Sequence, residues 1–147
     1  MAVNFDKTKV MVFRKGGHRA RSEKWFLDGN AIGVTSYYKY LGLVLSSRNS
    51  WSKAVATLAE QADKALVIVS NASRNVGGFP FNSHFKLFDS LILPILLYGS
   101  EIWGYQYFED LEKVQRKWCR KLLGLPRTPQ MRQLLENAGV CLSLFQV

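Results

Sequence analysis

The chain has 147 residues, of which 48% are hydrophobic and 13% aromatic. This length suffices for one domain with a buried core, and the composition excludes a disordered protein. The net charge is +9, with ten Lys and Arg against three acids in residues 1–53 and ten against eight in residues 54–147. A basic surplus more often reflects solubility than nucleic-acid binding, but a local surplus beside aromatic residues favours a polyanionic partner such as nucleic acid.

Cys119 and Cys141 are the only cysteines, and no local spacing relates them. Two such cysteines predict reduced thiols in an intracellular protein rather than a disulfide framework or a zinc site. His18 and His84 are distant in sequence from both, so we expect no metal centre. The apolar stretch from Ser90 to Ser100 is too short to span a membrane, so a membrane partner is not expected.

The first predicted element is a strand over Lys9–Phe13, whose unbroken apolar pattern is typical of burial on both faces. The loop that follows contains Gly16-Gly17 and is strongly basic. It is either a solvated hairpin loop or an arm that contacts phosphates, and the two interpretations carry equal weight. Its candidate nucleic-acid-binding residues are Arg14, Lys15, Arg19 and Arg21.

Two further predicted elements complete the β region. Trp25–Ile32 contains Asp28-Gly29, which predicts a tight hairpin turn. The run Ser36–Leu45 has the composition of a largely buried strand. As one continuous strand it places Tyr38, Tyr40 and Val44 on one face, with Gly42 marking a bend or a close approach by another backbone.

Helical periodicity dominates the remainder of the chain. A first helix is predicted from a cap at Asn49-Ser50 to about Arg74, ended by Gly77-Gly78. A second helix is predicted from a cap at Asn82-Ser83, apolar nearly all round and therefore buried, with a kink at Pro94. A short helix is predicted from Thr128 to about Ala138.

A third long helix is predicted from about Phe108, with a core face and a basic face. Solvation and the helix dipole explain the basic face slightly better than nucleic-acid binding does, and both interpretations stay open. The core face contains Leu111, Val114, Trp118 and Leu122, and the basic face contains Lys113, Arg116, Lys117, Arg120 and Lys121. These elements predict an α+β fold, with a strand region over residues 1–47 and a helical bundle over residues 48–147.

The residues by themselves predict binding surfaces and no catalytic centre. Two-metal phosphoryl chemistry needs clustered carboxylates, whereas the five aspartates are scattered and only Asp110 has an acidic neighbour. No phosphate-binding loop, dinucleotide-binding glycine pattern or nucleophile elbow is present.

Five segments, taken in order, resemble the reverse transcriptases of non-LTR (LINE-type, jockey-like) retrotransposons. They are Asn4–Phe13, Trp25–Gly29, Tyr38–Gly42, Leu93–Trp103 and Leu111–Gln115. The resemblance implies that Asn4–Phe13 is the last palm segment around polymerase motif D, with Lys7 and Lys9 as its candidate lysines. It also implies that the run from Tyr38 to Leu45 is the primer-grip hairpin of motif E and that the helices from Trp51 onward are the thumb.

The resemblance further implies a primer–template duplex of RNA or DNA as partner, together with the fingers and palm of the parent enzyme. The implied grip residues are Tyr38, Lys39, Tyr40, Leu41 and Gly42, with Gly42 close to the primer backbone. The family's catalytic aspartates would precede Met1, so we expect no polymerase activity from this chain alone. Mg would serve the full-length enzyme, and no cofactor is expected in this chain. Two alternatives are a stand-alone basic nucleic-acid-binding or interaction module derived from such an element and a relic without function.

Overall fold

The computed structural model describes residues 4, 7–14 and 23–124. Within them, five short strands precede five α-helices and one π-helical segment, so the fold class is α+β, as predicted. The chain divides into two compact units, Met1–Ala54 and Val55–Val147. Several sequence predictions lie outside the described residues: Lys15, His18, Arg19, Arg21, Cys141 and the helix from Thr128 to Ala138.

A three-stranded sheet is formed by β1 (Lys9–Val10), β2 (Trp25–Leu27) and β3 (Asn30–Val34), in the order β1-β3-β2. Strands β2 and β3 are antiparallel and joined by Asp28-Gly29, which confirms the predicted hairpin. Strand β1 pairs with β3 in parallel. The sheet is therefore mixed, with antiparallel pairing between β2 and β3 and parallel pairing between β1 and β3. Parallel pairing is possible because the chain between β1 and β3 is long enough for a crossover connection.

The first strand is shorter and more exposed than its apolar pattern predicts. It ends at Val10, and Phe13 is 52% exposed. Burial on both faces applies to central strands of a covered sheet, whereas among the described strands β1 lies at the edge of its sheet and pairs with β3 alone. The prediction of a doubly buried strand over Lys9–Phe13 is therefore wrong.

The run from Ser36 to Leu45 contains two strands, β4 (Tyr37–Tyr40) and β5 (Leu43–Ser46), so the prediction of one buried strand is wrong. The two strands are antiparallel, and Leu41-Gly42 forms the two-residue turn between them. The turn changes which residues share a face, because Val44 now lies opposite Lys39 rather than beside Tyr38 and Tyr40.

Helix α1 spans Ser52–Asn75, close to its predicted bounds. Its C-terminus is closed by two backbone hydrogen bonds: Gly78 N–H donates to Ser73 O at 2.8 Å, and Gly77 N–H donates to Arg74 O at 3.3 Å. This pair of bonds is a Schellman motif, with Gly77 in the left-handed conformation that the motif requires (φ 76°). The predicted stop at Gly77-Gly78 is confirmed.

The predicted second helix is broken into α2 (Phe81–Leu87), a π-helical segment (Phe88–Ile92), α3 (Leu93–Leu96) and, after a turn, α4 (Ser100–Trp103). The π-helical segment immediately precedes Pro94, which itself lies inside α3, and the helix is interrupted after Leu96. Proline lacks an N–H and its ring displaces the carbonyl four residues earlier, so a regular α-helical turn cannot continue into this position. The wider π turn accommodates this, with Leu93 N–H donating to Phe88 O.

Two predictions for this region are wrong. Helix α2 begins at Phe81 after Pro80, with no side-chain cap from Asn82 or Ser83. Its continuation is not buried all round, because Leu91 and Ile102 are about half exposed. The π-helical segment and the turn over residues 97–99 interrupt the α-helical repeat, so successive apolar side chains do not share a single buried face.

Helix α5 spans Glu109–Leu122, as predicted from about Phe108. The core of the second unit lies where α1, the broken helix and α5 pack together. Trp118 is central to it, with its ring 4.4 Å from that of Phe88 and 5.0 Å from that of Phe85. The other large buried side chains are Leu58, Leu66, Ile92, Leu96, Trp103, Leu111 and Val114. Within the described residues, no helix is both long and apolar enough to cross a membrane.

Candidate nucleic-acid interface

The hairpin β4–β5 brings together the residues that the resemblance assigns to a primer grip. Tyr38 lies opposite Leu45 and Tyr40 opposite Leu43, so these four side chains share one face of the hairpin. Lys39 lies on the other face, opposite Val44. The hairpin therefore separates its tyrosine pair from its lysine.

The turn of this hairpin holds a bulky side chain in an unfavourable conformation. Leu41 has φ 47° and Gly42 has φ 88°, and positive φ at both positions is typical of a type I′ hairpin turn. Asn, Asp and Gly tolerate this region, whereas a leucine there costs about 1–2 kcal/mol. The Leu41 side chain is nevertheless 74% exposed, so core packing does not explain its presence.

Strand β4 presents an aromatic surface to solvent. Tyr37 is 48% exposed, Tyr38 39% and Tyr40 59%. The Lys53 Nζ lies 4.0 Å from the centre of the Tyr37 ring, so this cation lies on the face of β4 that carries Tyr37 and Lys39, opposite the face of Tyr38 and Tyr40. Exposed rings beside ammonium groups are the arrangement that single-stranded nucleic-acid sites use, because the rings stack on bases and the cations contact phosphates.

The two motif D candidates lie near the N-terminus of the described chain, and both are exposed. Lys7 donates its backbone N–H to Asn4 Oδ1 at 3.2 Å, within a turn that Thr8 closes. The Lys9 side chain extends across Gly33 of the neighbouring strand. Lys9 is thereby positioned by the three-stranded sheet and not by the hairpin β4–β5.

Of the four basic-loop candidates, Arg14 is the one inside the described residues. Its guanidinium binds both carboxylate oxygens of Glu23, and this hydrogen bond together with the charge of Glu23 raises the pKa of Arg14. Its backbone N–H donates to Ser47 O at 3.0 Å. Arg14 therefore fixes the start of the loop, which favours a structural role for this residue.

Three of the five cations on α5 bind carboxylates of the protein itself. Arg116 is buried and lies 3.0 Å from Glu112. Lys117 binds Asp63 of α1, and Lys113 lies 3.0 Å from Asp110. These pairs favour the interpretation of the basic face as one that stabilises the helical unit.

Lys121 lies instead in a cleft of 390 Å³ between α1, α2 and α5, together with Arg74 and His84. Lys121 Nζ donates to Ser70 Oγ at 3.0 Å, and Arg74 Nε donates to Ser70 O at 3.4 Å, so both cations converge on one residue. No carboxylate is among the residues that line this cleft. We refer to it as the basic cleft.

Lys121 was predicted on a basic helix face, whereas Arg74 and His84 were not predicted as site residues. Both come from other helices, and the packing of three helices brings them together. Single basic residues near helix ends are common, because they interact favourably with the helix dipole. The local pattern therefore contained no signal for the basic cleft.

The carboxylates of the described residues are dispersed. No group of three or more His, Cys, Asp or Glu side chains among them is close enough to hold a metal ion. Asp63 and Asp110 are engaged by lysines, and Asp28 lies in a hairpin turn.

Comparison with known proteins gives no relative from which a function could be transferred. The chain matches no protein-family model, no curated protein and no solved structure. The functional interpretation therefore rests on the resemblance of the sequence segments and on the geometry of the hairpin and the basic cleft.

Proposed function

We propose that the chain is the nucleic-acid-contacting part of a non-LTR retrotransposon reverse transcriptase, with the hairpin β4–β5 as its primer grip. The observation that carries the proposal is Leu41, an exposed leucine in a left-handed turn at the tip of the hairpin. Strain that stability does not explain is typical of functional sites.

In this proposal the hairpin holds the primer 3′ end by contact rather than by chemistry. Tyr38 and Tyr40 offer ring faces to the terminal nucleotides, and Leu41 makes an apolar contact at the turn. Gly42 has no side chain, so the primer backbone approaches the turn closely. Lys39 on the opposite face and Lys53 beside Tyr37 supply cations for phosphates. The other segments of the enzyme, with their aspartates and Mg, would supply nucleotide addition.

The proposal is tested with a fluorescent primer–template whose primer has a recessed 3′ end, by fluorescence anisotropy. We expect the recessed substrate to bind more tightly than a blunt duplex of the same length. Tyr40→Ala should weaken binding of the recessed substrate about fivefold or more, since stacking on one base contributes about 1–3 kcal/mol. Tyr105→Ala removes a tyrosine that is 73% exposed in the other unit and is the matched control.

Two results would count against the grip. One is equal affinity for recessed and blunt duplexes. The other is an effect of Tyr105→Ala as large as that of Tyr40→Ala. Either result shows that binding does not depend on the hairpin.

A second candidate function is a stand-alone nucleic-acid-binding module, which the basic cleft favours. Arg74 and Lys121 contact the same residue, Ser70, and do so within one unit. If binding occurs mainly there, Arg74→Gln weakens blunt and recessed duplexes equally and lowers the salt dependence of the affinity, because one phosphate contact is lost. The hairpin variants then have no effect.

A further inference from the structure

A second cleft, whose lining contains glutamates where the basic cleft has basic residues, lies between the end of α3, α4 and the start of α5. It has a volume of 530 Å³, and the loop Gly104–Phe108 forms one side of it. Four aromatic residues and two glutamates contribute to its lining: Glu101, Trp103, Tyr105, Tyr107, Phe108 and Glu112. We call it the aromatic cleft.

The walls of the aromatic cleft are held by specific contacts. Trp103 is 2% exposed, its indole Nε1–H donates to Tyr98 O at 3.1 Å, and its ring meets Phe108 edge to face at 5.8 Å. Gly104 N–H donates to Ser100 O at 2.6 Å, at a backbone approach that leaves no room for a Cβ. The cleft is therefore formed before any ligand arrives, which lowers the entropic cost of binding.

The two carboxylates of the cleft have different surroundings. Glu112 binds Arg116 at 3.0 Å and accepts a hydrogen bond from the Tyr107 hydroxyl, which raises the pKa of Tyr107. Glu101 lies on α4 and is exposed. No lysine or arginine is among the lining residues, although the whole chain carries a net charge of +9.

We propose that the aromatic cleft binds an arginine side chain of a partner protein, with Glu101 as the ion-pair partner of the guanidinium. A guanidinium is planar and weakly hydrated, so it stacks on exposed tyrosine rings such as those of Tyr105 and Tyr107 while it donates two parallel hydrogen bonds to a carboxylate. A lysine ammonium is compact and strongly hydrated, and it matches this lining less well. A phosphate is repelled by the glutamates, so this site is distinct in kind from the nucleic-acid interface.

The experiment follows the Trp103 indole N–H signal by ¹H–¹⁵N NMR in the full chain, with Trp103→Phe to assign the signal. The probe is the peptide acetyl-Gly-Arg-Gly-amide, and the comparison peptide carries citrulline, a neutral isostere of arginine. We expect saturable shifts with the arginine peptide and roughly tenfold weaker binding of the citrulline peptide, because a charge-assisted contact is lost.

Variants of exposed residues distinguish an effect on binding in the cleft from an effect on folding. Glu101→Gln should weaken the arginine peptide roughly tenfold, and Tyr105→Ala should weaken it severalfold through loss of the cation–π contact. Glu60→Gln, at an exposed glutamate of α1, is the matched control and should change nothing.

Three results would overturn the proposal. They are equal affinity for the arginine and citrulline peptides, no shift of the Trp103 signal with either peptide, and a shift that a DNA duplex produces while the arginine peptide does not. The first two results do not bear on the hairpin, because the peptide titrations contain no nucleic acid, and the third reports only on the surroundings of Trp103 and not on the hairpin. The two proposals therefore fail independently.

Discussion

Lys117 and Asp63 are 54 residues apart in sequence and join α5 to α1, with Lys117 Nζ 2.6 Å from each carboxylate oxygen of Asp63. The two side chains are 32% and 38% exposed. A pair that is open to solvent in this way contributes below about 1 kcal/mol, since water and salt screen it. Lys117, a candidate nucleic-acid-binding residue by sequence, thus joins two helices of the same unit.

Lys117→Met should separate this structural role from binding. We expect its free energy of unfolding to fall by less than about 1 kcal/mol, with a smaller loss at high salt because the pair is already screened there. Its affinity for duplex should stay within twofold of the parent protein. Urea denaturation at two salt concentrations and fluorescence anisotropy measure both quantities.

The matched variant is Lys121→Met, one helical turn further along α5. Lys121 lines the basic cleft, so its loss should lower the affinity for duplex. The slope of log affinity against log salt concentration should fall by about one, which corresponds to one phosphate contact. Equal losses of affinity in Lys117→Met and Lys121→Met would show that the helix acts as a general basic face and that the cleft has no special role.

Leu41→Asn should raise the stability of the protein and lower its affinity for the primer–template. The variant creates Asn-Gly, which suits a hairpin turn with two positive φ angles, so the free energy of unfolding should rise by about 1 kcal/mol. For a chain of this size the midpoint of thermal unfolding should rise by about 2–4 °C. Affinity for the recessed primer–template should fall, because the apolar contact at the tip is lost. A variant that loses stability and keeps its affinity would show that Leu41 supports the fold.

Gly104→Ala should destabilise the helical unit. A Cβ at Gly104 would lie 2.5 Å from Ser100 O, a backbone atom that a rotamer change cannot move. We expect a loss of about 1–3 kcal/mol, as for overpacking in a core. Gly33→Ala is the control, because its Cβ would meet only the Lys9 side chain, at 3.5 Å. Thermal denaturation of both variants gives the comparison, and equal losses would contradict the steric explanation.

Gln115→Met should stabilise the protein. Gln115 is 1% exposed, and neither amide atom has a hydrogen-bond partner among the described residues. An unsatisfied buried amide costs about 1–3 kcal/mol, and methionine has a similar shape without that cost, so unfolding should require about 1 kcal/mol more. Gln61→Met, at an exposed position of α1, should have little effect. A loss of stability in Gln115→Met would mean that the amide has a partner.

The local elements of the fold could be predicted where short-range chemistry decides them. Asp28-Gly29 forms the predicted hairpin turn, and Gly77-Gly78 ends α1 where its glycines indicate. The residue pattern did not predict Leu41-Gly42 as a turn, because leucine is rare at positive φ, and the run therefore resembled one strand. A hairpin over Tyr38–Leu45 was implied only by the resemblance. That turn changed both the pairing and the faces of the strands beside it.

The sequence by itself determined the α+β class, the helical periodicity of α1 and α5 and the basic charge, because neighbouring residues are enough to specify them. Tertiary structure alone decided which partners the charges have, since Lys117 and Arg116 bind acids while Arg74 and Lys121 contact Ser70 in a cleft. It also decided that Tyr40 and Leu41 face solvent. Burial and ion pairing depend on distances between residues far apart in the chain, and only packing sets those distances.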